Sequence, residues 1–215
     1  SGGLQSICDA VLTHPDIEIR TGCSAIGLSP HAGGFEVHVK EGRTLHAPGL
    51  AIAVSHQEAA SLLRGKYPAL SNAIRRIETA KLESLGTRIP RNKCMLPECA
   101  FIVPVDDIFF SAVSRDPFPD PDWRAFAFHF RPGTTQQQKV DCICSLLQVP
   151  ISDLDVLAGQ KLTLPAPRVN HAAAIFDIDR NLENTGFALL GNYFIGLAIE
   201  DCITRACSEW RRLNP

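Results

Sequence analysis

The 215-residue chain is 45% hydrophobic and 20% charged, an ordinary globular balance that excludes a disordered or fibrous protein. Its 21 Lys and Arg against 23 Asp and Glu leave a net charge of −2, without the basic excess that a dedicated nucleic-acid binder needs for its phosphate contacts. No apolar run approaches the ~20 residues of a membrane helix and the opening does not read as a signal peptide, so a soluble chain is expected.

In chain order, Leu4, Ile7, Cys8, Val11 and Leu12 form one helical stripe, stopped at His14-Pro15-Asp16. Ile17-Glu18-Ile19 alternates as a strand, and Ala25 to Leu28 predicts a second. Residues 30–34 read as a turn, after which Phe35, Val37 and Val39 alternate with Glu36, His38 and Lys40. A turn at Glu41-Gly42-Arg43 leads to Thr44-Leu45-His46, completing a set of hairpin signals. Leu50 to Val54 is a continuous apolar run, as expected of a strand covered on both faces, and a helix follows from Gln57 to Leu63.

The pattern changes after Pro68. A short helix closes over Ala73 to Ile77, and strands are predicted at Ser84–Ile89, Phe101–Val103, Ile108–Val113 and Arg124–Phe130. Thr134 to Gln148 reads as a helix and Val156 to Leu164 as a strand. Asp177, Asp179 and Arg180 read as a solvated turn or helix face. Phe187 to Leu190 is a short apolar strand, followed by a glycine-bearing turn and a final helix from Leu197 to Arg212. One mixed module therefore surrounds a second: residues 1–77 and 184–215 enclose residues 78–183.

Most side chains with chemical potential have an ordinary reading. Cys142 and Cys144 are two apart on a helix and do not share a face, and Cys94 and Cys99 have no His or second Cys pair to complete a zinc site. Buried, reduced thiols are expected, and with them a cytosolic-type compartment. No metal ligand is assigned. His129 and His171 lack a nucleophile at motif spacing and read as structural, and the phenylalanines from Phe109 to Phe130 read as sheet core. Glu200 and Asp201 suit the N-terminus of the last helix.

The strand, glycine turn and helix from Phe187 to Trp210 are the most informative stretch, because glycines there bring backbone N–H groups close to a ligand. The wording Leu190-Gly191-Asn192-Tyr193-Phe194-Ile195-Gly196-Leu197-Ala198-Ile199 with Asp201-Cys202-Ile203 resembles the C-terminal signature of protoporphyrinogen oxidases, in the FAD-dependent amine-oxidase superfamily. Gly2-Gly3-Leu4-Gln5, Ile17-Glu18-Ile19-Arg20 with Ala25-Ile26, and Ala51-Ile52-Ala53-Val54-Ser55 before Glu58-Ala59-Ala60 resemble further landmarks of that family, in family order. Ser55 stands where the family has proline, and no G-x-G-x-x-G dinucleotide fingerprint occurs.

The resemblance implies an α+β fold: the remnant of an FAD-binding domain (1–77 and 184–215) with an inserted substrate domain of antiparallel sheet plus helices (78–183). It implies the C-terminal portion of a longer flavoprotein that oxidises a large planar apolar substrate, best matched by protoporphyrinogen IX. An amine oxidase, a carotenoid-type desaturase and a non-catalytic binding module remain open. By resemblance, Ala25 contacts adenine, Gly191 and Asn192 lie by the pyrophosphate and ribityl chain, and Leu197, Ala198 and Ile199 lie by the flavin pyrimidine edge. Ordinary core packing is the alternative for the last three. No catalytic residue is assigned. FAD is expected in the full-length protein and not on this chain alone, with no nucleic-acid partner and with peripheral membrane contact open for the whole protein.

Overall fold

Cross-strand alternation and two amphipathic helix sets divide the chain into two units, residues 1–77 with 167–215 and residues 78–166. The computed structural model describes residues 5–40 and 42–214, so Gly2, Gly3 and Leu4 of the opening motif and Glu41 of the second turn lie outside the described residues. Helices and sheets are mixed throughout, an α+β architecture. Among the described residues, no helix is long and apolar enough to cross a membrane.

The first unit begins with α1 (Gln5–Leu12), whose side chains are all exposed, and a meander of β1 (Ala25–His31), β2 (Gly34–Val39) and β3 (Thr44–Ala47). Both pairings in the meander are antiparallel, with β2 in the centre. Gly33, at φ +84°, makes the two-residue turn between β1 and β2. β4 (Ala51–Ile52), α2 (His56–Leu63) and α3 (Pro68–Arg75) follow. Ser55 serves as the N-cap of α2: its Oγ accepts from the Glu58 N–H at 3.3 Å. After the second unit come α5 (His171–Leu182), β10 (Ala188–Leu189) and α6 (Ile199–Leu213). Leu63, Ile74, Ile178, Phe187 and Leu189 form the centre of one apolar core.

Two expectations change here. Ile17 and Ile19 form no strand and are exposed, because a three-residue alternation without a partner strand buries nothing. α5, of which only Asp177, Asp179 and Arg180 read as a turn or helix face, is a full helix that packs in the first unit, burying Ile178 and Leu182 with Leu70 and Ile74 of α3. An Arg76–Asp177 ion pair joins the two helices. The second crossing between units accordingly falls at 166/167 and not at 183/184.

The second unit is a five-stranded antiparallel sheet in the order β6 (Phe101–Ile102), β7 (Phe109–Ser114), β8 (Trp123–Phe130), β5 (Thr79–Pro90), β9 (Asp155–Pro165). Its inner face carries Phe126, Phe128 and Phe130, covered by Val140, Ile143 and Leu147 of α4 (Gln136–Leu147). Thr135 and Gln138 close the start of α4 with a reciprocal capping box. The opposite face presents small side chains: Val113, Ala127, Gly86 and Ala158 stand in one row across four strands, each partly or fully exposed. His129 is satisfied on that face by Ser111, with Oγ to Nδ1 at 3.0 Å. The eight cysteines are free thiols, half-buried or exposed, so the expected full burial is not met. Burial and the nearby Asp107 carboxylate push the Cys142 thiol up to about 11.

One buried ion pair ties the connection between β7 and β8 to β8, and its arginine also holds the segment between β5 and β6. Arg124 Nε and Nη2 donate to Asp116 Oδ1 and Oδ2 at 3.0 and 2.6 Å, with both side chains under 5% exposed. The same guanidinium donates to the carbonyls of Leu96 and Pro97. Burial alone would raise the Asp116 pKa, but the Arg124 hydrogen bonds and the Cys99 N–H outweigh it and hold the carboxyl below its ordinary value. Arg124→Ala leaves that carboxylate buried and unpaired, so about 3–5 kcal/mol of stability should be lost, read by urea denaturation. Hydrogen exchange should place the loss in the strands of the second unit. Because the Asp116 pKa is depressed on folding, its contribution is complete above the unfolded carboxyl pKa of about 3.9 and disappears as pH falls through the folded value. Asp116→Asn should therefore weaken the protein at neutral pH and flatten the acid limb of its stability profile.

Candidate functional site

β4 and β10 are parallel neighbours, pairing Ala51 with Ala188 and Ile52 with Leu189. The N–H groups of Ala188 and Leu190 donate to the carbonyls of Leu50 and Ile52 at 2.9 and 2.8 Å. Both strands end on the same side, where ligands bind in open parallel sheets. The chain leaves β10 there into Gly191 and Asn192 and leaves β4 there into Ala53 and Val54.

α6 closes the far edge of β10. Glu209 accepts from the Leu189 N–H at 3.2 Å, Arg205 Nε donates to the Leu189 carbonyl at 3.2 Å, and Arg212 Nη2 donates to the Phe187 carbonyl at 2.6 Å. Glu209 is 4% exposed and is neutralised by Arg205 and Arg212, while Arg205 also reaches Asp179 at 2.9 Å. Arg205, Glu209 and Arg212 do not stand out in the sequence. Their signal was the i, i+4 spacing of Arg205 and Glu209 with Arg212 three further on, an ion-pair pattern common on exposed helices.

The opposite edge of β4 has no partner strand among the described residues. Because Leu50 and Ile52 direct their carbonyls to β10, the backbone groups of Ala51 and Ala53 face the other way. Beside them lies an apolar cavity of about 190 Å³, lined by Ala25, Leu28, Val37, Leu50, Ile52 and Leu62 among others. No ionisable side chain contributes to its lining among the described residues. An apolar slot next to a free backbone edge suits a flat ring whose polar rim hydrogen-bonds to main chain.

Of the residues singled out from the sequence, Ala25 lines this cavity and the other five do not. Gly191 and Asn192 form the turn after β10, and Leu197 and Ile199 at the start of α6 are about half exposed (48% and 47%), so core packing does not account for them. The Ala198 N–H is taken by Asp201 Oδ2 at 3.3 Å, which places a carboxylate of the protein itself at the helix N-terminus. Gly196 permits that approach, since a Cβ there would lie 2.4 Å from the same oxygen. Gly191 has its own neighbour: at φ +147°, an added Cβ would stand 2.4 Å from the Tyr193 ring. Tyr193 is buried, stacks on Phe194 at 4.7 Å and tilts against His56 at 5.8 Å. Burial raises the Tyr193 pKa and lowers that of His56.

No protein-family model and no curated protein matches the chain. Solved structures do share its fold. A protein from Exiguobacterium sp. 255-15 provisionally named a protoporphyrinogen oxidase is similar over 99% of this chain and 51% of its own, at a TM-score of 0.76 and 17% identity. Cyclohexylamine oxidase from Brevibacterium oxydans IH-35A matches 89% of this chain and 49% of its own, at 0.63 and 12%. Reduced UDP-galactopyranose mutase matches 79% and 40%, at 0.58 and 12%. The chain thus spans about half the length of these structures and has the fold of that part of them.

The packing of Tyr193 gives Gly191 a testable structural role. Gly191→Ala should lower the thermal midpoint of the ligand-free protein by several degrees, because the side chain meets both a strained φ and a buried ring. A purely ligand-contacting glycine would leave that midpoint unchanged, and circular dichroism melting distinguishes the two.

Proposed function

We propose that this chain is part of an FAD-dependent oxidoreductase, its first unit belonging to the flavin-binding domain and its second to the substrate-binding domain. The observation that carries this reading is the parallel β4–β10 pair with a free β4 edge beside an apolar slot that contains Ala25. The fold likeness to proteins named as oxidases supports it.

The chain's residues suit the two ring ends of the cofactor and not its middle. The slot around Ala25 takes the adenine. Leu197, Ala198 and Ile199 present an exposed apolar helix start to the flavin pyrimidine edge. Gly191 and Asn192 lie on the ribityl side. A pyrophosphate would meet Glu200 and Asp201 at that helix start, so its anion site lies in other parts of the protein. FAD supplies the hydride acceptor when bound, and the protein contributes orientation and exclusion of water. The flat row of Val113, Ala127, Gly86 and Ala158 suits a large planar apolar substrate, for which protoporphyrinogen IX, oxidised to protoporphyrin IX, is the best candidate. Peripheral membrane contact by the whole protein fits such a substrate.

Purification of the whole protein that carries this chain tests the reading. Near-stoichiometric FAD is expected, together with porphyrin fluorescence on addition of protoporphyrinogen IX, whereas this chain alone should emerge colourless from gel filtration. Peroxide release from a primary amine without porphyrin formation would move the substrate to the amine class. A whole protein that neither holds nor binds FAD would overturn the assignment.

A further inference from the structure

The outer face of the β1–β2–β3 meander concentrates histidine. Phe35 and Val39 of β2 are buried, so the intervening Glu36 and His38 point to the other side. Cross-strand register sets Glu36 opposite Ser29 on β1 and opposite His46 on β3, with His31 diagonal to Glu36. Three of the seven histidines, His31, His38 and His46, therefore share this face. His38 is engaged by hydroxyls, with Nε2 3.3 Å from Ser29 Oγ and Nδ1 3.1 Å from Thr44 Oγ1.

The other two converge on one carboxylate oxygen. Nδ1 of His31 and Nδ1 of His46 lie 3.3 and 3.6 Å from Glu36 Oε1. Their rings meet edge-on at 5.5 Å, and one ligand atom from each of the three residues falls within 4.8 Å of the others. Zinc–nitrogen and zinc–oxygen bonds of about 2.0–2.2 Å at tetrahedral angles separate neighbouring ligand atoms by about 3.3–3.6 Å. The two separations, 3.3 and 3.6 Å, match that edge. Imidazole and carboxylate are the borderline donors that zinc-type cations take, and three protein ligands leave the fourth position to water. The half-exposed histidines, 53% and 60%, leave a solvent path to that position.

We propose that His31, Glu36 and His46 form a binding site for a divalent cation of the zinc type. Each ligand comes from a different strand, so the ion would clip β1 and β3 together across β2. The sequence pattern hides this site, because ligands from positions 31, 36 and 46 meet only through strand register. The inference is independent of the flavin reading, since it concerns the opposite side of the meander from the apolar slot.

Cobalt(II) is the probe. Titration of the metal-free chain should saturate at one equivalent, with visible d–d absorption of a low-coordinate site and without the near-ultraviolet sulfur band that the free cysteines would give. Zinc should displace it. Glu36→Ala and His46→Ala should each weaken binding by at least ~10-fold, the scale reached even by loss of an outer-shell partner. His38→Ala on the same face should leave affinity unchanged. Circular dichroism checks that each variant folds, and His46→Gln replaces His46→Ala if that variant does not. Absence of saturable binding at millimolar cobalt, a sulfur band, or unchanged affinity in folded Glu36 and His46 variants would each overturn the proposal.

Discussion

The first unit depends on a set of hydrogen bonds from helix side chains to strand backbone. β4 and β10 pair over two residues, too little to persist unaided. Glu209, Arg205 and Arg212 complete the far edge of β10 by meeting the Leu189 N–H, the Leu189 carbonyl and the Phe187 carbonyl. Arg205 and Glu209 are buried and Arg212 is partly so, which would cost several kcal/mol for a buried charge were they not mutually neutralised and hydrogen-bonded to main chain. The arrangement also keeps the edge from serving as a template for another strand.

The turn that follows inherits its shape from the same helix. The Arg205 guanidinium lies 3.7 Å from the centroid of the Phe194 ring, Phe194 stacks on Tyr193, and Tyr193 occupies the space a side chain at position 191 would need. A glycine that resembles a cofactor contact thus has a packing reason within the chain itself. The two explanations are compatible, because a turn made rigid from below can still present its backbone above.

Legibility in the sequence followed the range of the interactions involved. The alternation of Phe35, Val37 and Val39 and the apolar stripe of α4 are local periodicities, and both elements formed where they were expected. The run from Leu50 to Val54 reads as a strand covered on both faces, yet only Ala51 and Ile52 are paired and Val54 is exposed, because the second neighbour such a run anticipates is not among the described residues. α5 reads from sequence only as a turn or helix face because Asp177, Asp179 and Arg180 dominate it, while the stripe of Ala174, Ile178 and Leu182 is spaced at a single residue per turn. Of the candidate site, Ala25 was legible only through family likeness. The slot it lines and the histidine cluster both arise from strand register, which sequence spacing does not encode.

The division of the chain also has a consequence for the order in which it folds. The second unit is contiguous from residue 78 to residue 166, so all its strand pairings can form as soon as that segment has left the ribosome. β4 has to wait for β10 and for the helix that seals it, both of which are synthesised after the second unit. Closing so long a loop is entropically slow compared with the local pairings of a meander. During synthesis, then, the chain passes through a stage in which a finished sheet domain is followed by growing polypeptide while the apolar segments of the first unit are still unpaired. Those segments, including Ile52, Leu63 and Ile74, are where a chaperone would engage the nascent chain.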